Sequence, residues 1–167
     1  MAEDATPSVT PVLRTSLTPV WQQACQWAGK GLLVGLLIAL GVMIYEHSKA
    51  NSVSLVLQGA RRPLLQYHLE KGGWPADFNL TKAAPELVAF NAKQLPELVG
   101  KCRVDGAWAF TQKGPDGKPS VVFTPSSAGS SFQRVLMVVD GWMDDGRAAA
   151  GDLRVTEAKA WLRLSAE

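Results

Sequence analysis

Four aspartates near the carboxyl-terminal end of the chain carry the side chains best suited to bind a metal ion. They are Asp140, Asp144, Asp145 and Asp152. Carboxylate oxygens are the ligands that Ca²⁺ prefers in proteins. The spacing does not fit the twelve-residue calcium loop, because placing Gly146 at the sixth position puts Gly141 and Met143 at the first and third. Solvated carboxylates around a capped turn are the simpler interpretation. The sequence therefore assigns no metal or cofactor and leaves cation binding open.

Groups that could perform catalysis are few and scattered. His47 borders the apolar segment described below and His68 lies farther along the chain, and neither has an evident nucleophile and carboxylate beside it. The serine-rich stretch 126–131 lacks the pattern of a nucleophile elbow. Gly114 and Gly117 belong to a turn with no helix start after it, so they are not a phosphate-binding loop. The sequence predicts a protein that is not an enzyme.

Charge and cysteine content argue against two further features, nucleic-acid binding and an intrachain disulfide. The chain has 167 residues and a net charge of +2, and its basic residues are dispersed apart from the adjacent pair Arg61 and Arg62. A nucleic-acid partner is not expected from this pattern. The two cysteines, Cys25 and Cys102, flank the apolar segment, so a membrane-spanning topology would separate them and prevent an intrachain disulfide.

The apolar segment is the stretch of fifteen uncharged residues from Gly31 to Tyr45. As a helix it covers about 22 Å, less than the roughly 30 Å hydrocarbon core of a bilayer. Trp27 and Tyr45 stand about 27 Å apart on such a helix, which suits the two interfacial levels. Lys30 can extend its charge outward at one end. This pattern predicts a single membrane span in contact with lipid; a buried core helix is the alternative.

Small residues recur on one face of this predicted span. Gly31, Gly35 and Ala39 follow one another at four-residue spacing, which brings them to the same side of a helix. Such faces let two helix backbones approach closely within a membrane. The sequence therefore predicts a helix-packing face for a partner helix or for a second copy of the chain. The alternative is that these residues are simply common in spans.

Processing and orientation stay open at this point. A signal peptide cleaved after Ala50 is a second interpretation of the apolar segment, although thirty residues with only Arg14 and Lys30 as cations make an unusually long front. Cleavage there would release a soluble secreted domain. Lys49 and the pair at 61–62 slightly favour the side after the span as cytoplasmic.

An amphipathic stripe continues the helix beyond the span. Its members recur at three- and four-residue spacing. They are Val53, Val56, Leu57, Ala60, Leu64 and Tyr67. Pro63 interrupts the pattern, but Gly59, four residues earlier, leaves room for the proline ring. We expect a kinked helix that continues to Lys71 and stops at Gly72 and Gly73.

The remaining residues predict a small mixed head. Residues 103–112 and 120–124 form a hairpin around a turn-rich loop, and 152–156 with 160–164 form a second one. Thr81 could cap a short helix through about Phe90, and a further helical turn covers 96–99. Residues 132–143 fit a helix slightly better than a strand. Trp108, Trp142 and Trp161 are expected to fill the core.

The predicted organisation is an α+β protein. It comprises a disordered tail (residues 1–20), a membrane anchor helix (21–47), an amphipathic extension of that helix (48–72) and a small α/β head (73–167). The head is expected to be a small antiparallel sheet packed on the extension.

This layout resembles the type IV pilins and the type II secretion pseudopilins. The resemblance covers roughly residues 30–165 in layout, and its best local pieces are the segment 69–75 (LEKGGWP) with the hairpin after it, and the tail 143–155. It implies a minor or accessory structural component of a secretion or pilus-type assembly. It also implies a bacterial inner-membrane location with the head in the periplasm, and other pilin-like subunits as partners.

The chain differs from that family at the processing site. Family members have a glycine followed by an apolar residue and a glutamate five places after the glycine, whereas here Gly31 precedes Leu32 and position 36 is a leucine. The glutamate pairs with the freed amine of a neighbouring subunit within lipid. Its absence favours an uncleaved anchor. A membrane-anchored binding or scaffold domain unrelated to filaments is the alternative function.

Overall fold

The computed structural model describes residues 19–82, 84–90, 92–127 and 129–165. The tail predicted for residues 1–20 lies outside this part, except for its last two residues. The chain divides into two compact units, Met1–Gly41 and Val42–Glu167, and each is considered by itself below.

The first element, helix α1, covers Pro19–Lys71. Its residues up to Tyr45 are mostly Leu, Ala, Ile, Val, Met and Gly, and Leu, Ala and Met among them are good helix formers. α1 runs through Pro63 without interruption. The predicted end is confirmed, because Gly72 has φ +69° and its N–H donates to the His68 carbonyl at 2.9 Å.

Five strands form one antiparallel sheet in the second unit. They are β1 (Phe78–Asn79), β2 (Gly106–Thr111), β3 (Ser120–Pro125), β4 (Leu153–Val155) and β5 (Ala160–Arg163). The strand order is β1-β2-β3-β5-β4. Both predicted hairpins are confirmed, β2 with β3 and β4 with β5. The pairing of β3 with β5 joins the two hairpins, and β1 was not predicted.

The described part of the second unit also contains two α-helices after α1. α2 covers Leu95–Gly100 and α3 covers Ser130–Met143, so the helical interpretation of residues 132–143 is confirmed. The short helix predicted near Phe90 is a 3-10 helix, Pro85–Phe90. Thr81 does not cap it. Its N–H and hydroxyl both donate to the Asn79 side chain, at 2.9 Å each, and Thr81 therefore belongs to a turn after β1.

The core of the second unit joins the stripe of α1 to one face of the sheet. The predicted stripe residues from Val53 to Leu64 are buried, and Tyr67 packs at the edge of the same cluster. Trp108 is buried and stacks on Phe123, with ring centroids 4.2 Å apart. A small α+β head packed on the extension of the helix is therefore confirmed.

Two details of the core differ from the sequence prediction. Trp142 is 50% exposed, so its assignment to the core was wrong, and Trp161 is only partly buried. Gly59 has a role beyond making room for a proline ring. A Cβ at Gly59 would lie 2.5 Å from the Leu98 Cδ1, so the glycine lets α2 pack closely against α1.

Candidate functional site

The apolar part of α1 presents its side chains to the surroundings. Every residue from Val20 to Tyr45 is exposed, including Leu32 at 75% and Ile38 at 63%. Within α1, the most apolar 18-residue window has a mean hydropathy of 2.0. An apolar surface of this extent is unfavourable in water and requires lipid or other apolar chains to cover it. α1 is long and apolar enough to cross a membrane and is a possible membrane anchor.

Aromatic and basic side chains lie together at both ends of the predicted span. The Lys30 ammonium stands 5.2 Å from the centre of the Trp27 ring, and the Lys49 ammonium stands 4.4 Å from that of Tyr45. Amphipathic rings and lysine stems are the side chains that suit a membrane–water interface. These pairs therefore fit the two ends of a span.

The predicted helix-packing face is open. A Cβ added at Gly31 or Gly35 would meet no atom within 4 Å, and Ala39 is exposed. The described residues do not use this face for packing within the chain. A partner helix on it remains a prediction of the sequence.

The structure brings three of the four aspartates together. Oxygens of Asp140, Asp144 and Asp145 all lie within 4.8 Å of one another. Asp152 has a different partner, because its carboxylate accepts a hydrogen bond from the Arg61 guanidinium at 3.4 Å. The same contact gives Arg61, one member of the adjacent basic pair, a partner in the head.

Sequence reasoning missed the burial of Asp140. This side chain is fully buried, at 0% exposure, in the last turn of α3. A signal was present, because Phe132, Leu136 and Asp140 follow one another at four-residue spacing and so share a helix face. An aspartate on the buried face of an amphipathic helix is a residue that needs a partner.

Both histidines pack against tryptophan rings. His68 stacks on Trp74 with centroids 4.3 Å apart and planes 10° apart, and His47 lies 5.5 Å from Trp142. The contact between His68 and Trp74 holds the chain where it leaves α1. Gln112 adds to it by donating to the Pro75 carbonyl at 2.9 Å. The absence of enzymatic activity remains a prediction.

A groove of ≈ 280 Å³ lies beside residues 42–49 of α1. Its lining includes Lys49 and Arg103 but also Glu46 and Asp105. Glu46 is paired with Arg134 at 3.5 Å, and the Arg103 guanidinium donates to the Ser48 hydroxyl. Charges of both signs that have partners in the chain do not select a ligand.

Fold and site together define an α+β protein in which, among the residues that the structure describes, one apolar helix is long enough to span a membrane and an antiparallel sheet forms a small head. Comparison with protein-family models, with curated proteins and with solved structures finds no match for the chain.

Proposed function

We propose that this chain is a non-catalytic, single-pass membrane protein of pilin-like architecture. It serves as a minor or accessory component of a type II secretion or type IV pilus-type assembly. In this proposal lipid and neighbouring subunits cover the apolar part of α1, and the head makes contacts outside the membrane.

The proposal rests on the difference in burial between the first and the second part of α1. Residues 31–45 are apolar and exposed, whereas Ala50, Val53 and Leu57 are buried in the core of the head. An ordinary anchor joined to a domain by a flexible linker has no need of a helix that belongs to the core. In this proposal the second half of α1 is itself part of the core of the head.

A membrane-anchored binding or scaffold domain is the second candidate. Leu36, at the position where the family has glutamate, is 54% exposed. Without a carboxylate there, the contact between a subunit amine and its neighbour within lipid is lost. This observation favours an anchor that stays uncleaved, and it separates the chain from subunits that form the body of a filament.

Membrane extraction and mass determination test the anchor. We expect the full-length chain to stay in the membrane fraction during alkaline carbonate extraction and to keep its amino terminus. A mature form beginning at Asn51 would contradict the proposal, because cleavage after Ala50 would divide α1 beside a buried residue. A mature form beginning near Gly31 or Leu32 would favour a processed pilin-like subunit over the scaffold alternative.

Cysteine labelling tests the location in the bacterial inner membrane with a periplasmic head. Cys25 precedes the predicted span, and Cys102 lies in the head, partly exposed. Single-cysteine variants Cys25→Ser and Cys102→Ser each leave one thiol for a membrane-impermeant maleimide. In cells with a permeabilised outer membrane, we expect labelling only when Cys102 is the thiol present. Labelling only when Cys25 is the thiol present would indicate the opposite orientation, with the head in the cytoplasm. Detergent-solubilised samples control for the partial burial of Cys102.

Crosslinking tests the helix-packing face. Gly35→Ile places a branched side chain on that face and should lower the yield of crosslinked oligomer, because the backbones can no longer approach closely. Gly41→Ile is the matched control, since Gly41 is equally exposed but lies on another side of the helix. Equal yields from both variants would remove this face from the proposal.

A further inference from the structure

The outer face of α3, formed by Arg134, Met137 and Gly141 with Trp142 at its edge, carries large apolar side chains at the surface. Trp142 is 50% exposed and Met137 is 39% exposed. Met137 lies on the side of α3 opposite the buried residue Leu136 and its neighbours in the core. Exposed apolar side chains do not by themselves identify a partner. The position of this face relative to the predicted span identifies one.

α3 contacts α1 directly after the predicted span. The Arg134 guanidinium is paired with Glu46 at 3.5 Å, and the rings of Trp142 and His47 have centroids 5.5 Å apart. Both contacts lie within the second unit. Residues 46 and 47 directly follow Tyr45, the aromatic residue at this end of the span. Trp142 therefore lies within about one helical turn of the level at which Tyr45 meets the membrane–water interface.

The same two contacts give the direction of α3. Arg134 and Trp142 are eight residues apart, about 12 Å along α3, whereas their partners are neighbours, about 1.5 Å apart along α1. α3 therefore crosses α1 instead of running beside it. A helix that crosses a membrane-spanning helix at this level lies along the membrane surface.

The outer face of α3 is directed away from the core of the head. The core includes α1 residues from Ala50 to Leu64, whereas α3 contacts α1 at residues 46 and 47, nearer to the span. The core therefore lies on the side of α3 that is farther from the membrane. Since Met137 lies on the opposite side of α3 from the core, its side chain faces the membrane.

The side chains at this level suit the membrane–water interface and not one kind of headgroup. A tryptophan ring and a long arginine side chain have an apolar body and a polar end, and methionine adds apolar surface. Charges of both signs lie close by, because Lys49 and Arg103 share the groove beside α1 with Glu46 and Asp105. An excess of negative lipid is therefore not required.

We infer that the outer face of α3 rests in the headgroup layer of the membrane that α1 spans. The inference rests on the proposed function, because it requires α1 to be a membrane span. The head contacts lipid with a defined face, and Trp142 is a second aromatic anchor at the level of Tyr45. The head is thus held by the surface of the bilayer as well as by α1.

Spin labelling of the full-length protein in phosphatidylcholine nanodiscs tests the lipid contact. A nitroxide is attached to Met137→Cys in a background that carries Cys25→Ser and Cys102→Ser. Collisions with oxygen, which concentrates in lipid, and with a water-soluble nickel chelate report the surroundings of the label. We expect access of the nickel chelate to be several-fold lower at position 137 than at an exposed position in water, with higher access of oxygen. Addition of phosphatidylglycerol should leave both values unchanged.

Two matched positions on α1 calibrate the measurement. Leu37→Cys is the lipid reference, because Leu37 is 59% exposed within the predicted span. Leu69→Cys is the water reference, because Leu69 is 74% exposed and lies about 36 Å beyond Tyr45 along α1. The label at position 137 should fall between the two references. Nanodiscs with at most one copy of the chain exclude contacts between copies.

Quenching by brominated lipid tests Trp142 itself. The protein has six tryptophans, so the fluorescence of Trp142 is obtained as the difference between the unchanged protein and Trp142→Phe. Lipids brominated near the glycerol end of their chains should quench this difference strongly. Trp74→Phe is the control, because Trp74 stacks on His68 far along α1 from Tyr45. The fluorescence that this variant removes should not be quenched.

The outcomes separate this inference from the proposed function. High access of the nickel chelate at position 37 would show that α1 is not a span, and both would fall. A lipid-like label at 37 with a water-like label at 137 would overturn the inference and leave the span intact. Low access of both reagents at 137 would assign the outer face of α3 to a protein contact and would also overturn it, as would an unquenched Trp142.

Discussion

Replacement of Leu64 by alanine measures how far α1 belongs to the core of the head. Leu64 is at 0% exposure and is part of the hydrophobic cluster that joins α1 to the sheet. Leu69 lies five residues later on the same helix at 74% exposure. The same substitution at both positions changes helix propensity by nearly the same small amount. The difference between the two variants therefore isolates packing.

The expected difference is large because the two side chains differ in burial. Removing a buried leucine side chain typically costs about 3–5 kcal/mol, the sum of lost transfer free energy and the cavity left behind. An exposed leucine on a helix surface changes the free energy of unfolding by less than about 0.5 kcal/mol. Leu64→Ala should therefore destabilise the head by about 3 kcal/mol or more relative to Leu69→Ala.

Urea unfolding of the full-length protein in detergent provides the assay. Tryptophan fluorescence follows the loss of the stack between Trp108 and Phe123. With a slope of about 1.5–2 kcal/mol per molar urea, the unfolding midpoint of Leu64→Ala should lie about 1.5–2 M below that of Leu69→Ala, at an unchanged slope. Equal midpoints would refute the conclusion that the second half of α1 is a core element. The proposal of pilin-like architecture would then lose its main support.

Two further predictions concern the loops of the head. Gly151→Ala should destabilise the protein by about 2 kcal/mol or more, because φ at Gly151 is +69° and a Cβ would overlap the Asp144 carboxylate. Gly117→Ala is the control, with φ +77° but open space around it, and should cost only the backbone strain in the same urea assay. Burial alone would raise the pKa of Asp116, but its hydrogen bond and charge contact with Arg163 outweigh burial, and the pKa is lowered. A carboxyl group whose pKa is lower in the folded than in the unfolded protein stabilises the fold above the unfolded-state pKa, and this stabilisation is lost as the pH falls through the folded-state pKa. The free energy of unfolding should therefore decrease below about pH 4. The decrease should be smaller in Asp116→Asn.

The long helix and the hairpins could be predicted because local signals determine them. Apolar residues at three- and four-residue spacing from Val53 to Leu64 indicate one buried helix face, and the structure buries that face. Gly72 ends α1 because a positive φ is most easily adopted by glycine. The hairpin of β2 and β3 follows from the turn residues 113–118 between two runs of strand-forming residues.

Features that depend on distant parts of the chain could not be predicted. The two-residue strand β1 exists because it pairs with β2, and its own sequence contains no signal of sufficient length. Trp142 follows Val135 by seven residues and so points to the same side of α3. Its exposure could not be predicted, because periodicity gives the direction of a side chain and not how far the core extends along the helix. Gly59 likewise acquires its second role only through Leu98 of α2.

Asp140 is informative because it interrupts the apolar pattern on the buried face of α3. The buried face of α3 contains Phe132, Val135, Leu136 and Val139, and a carboxylate among them contradicts the rule that this face is apolar. Such a residue lowers stability unless a partner compensates its charge, so its presence indicates a partner. The sequence showed the acidic cluster, but only the structure shows that Asp140 is buried without a hydrogen bond while Asp152 is paired with Arg61. The distinction separates Asp152, which has a partner, from the three aspartates that the fold brings together.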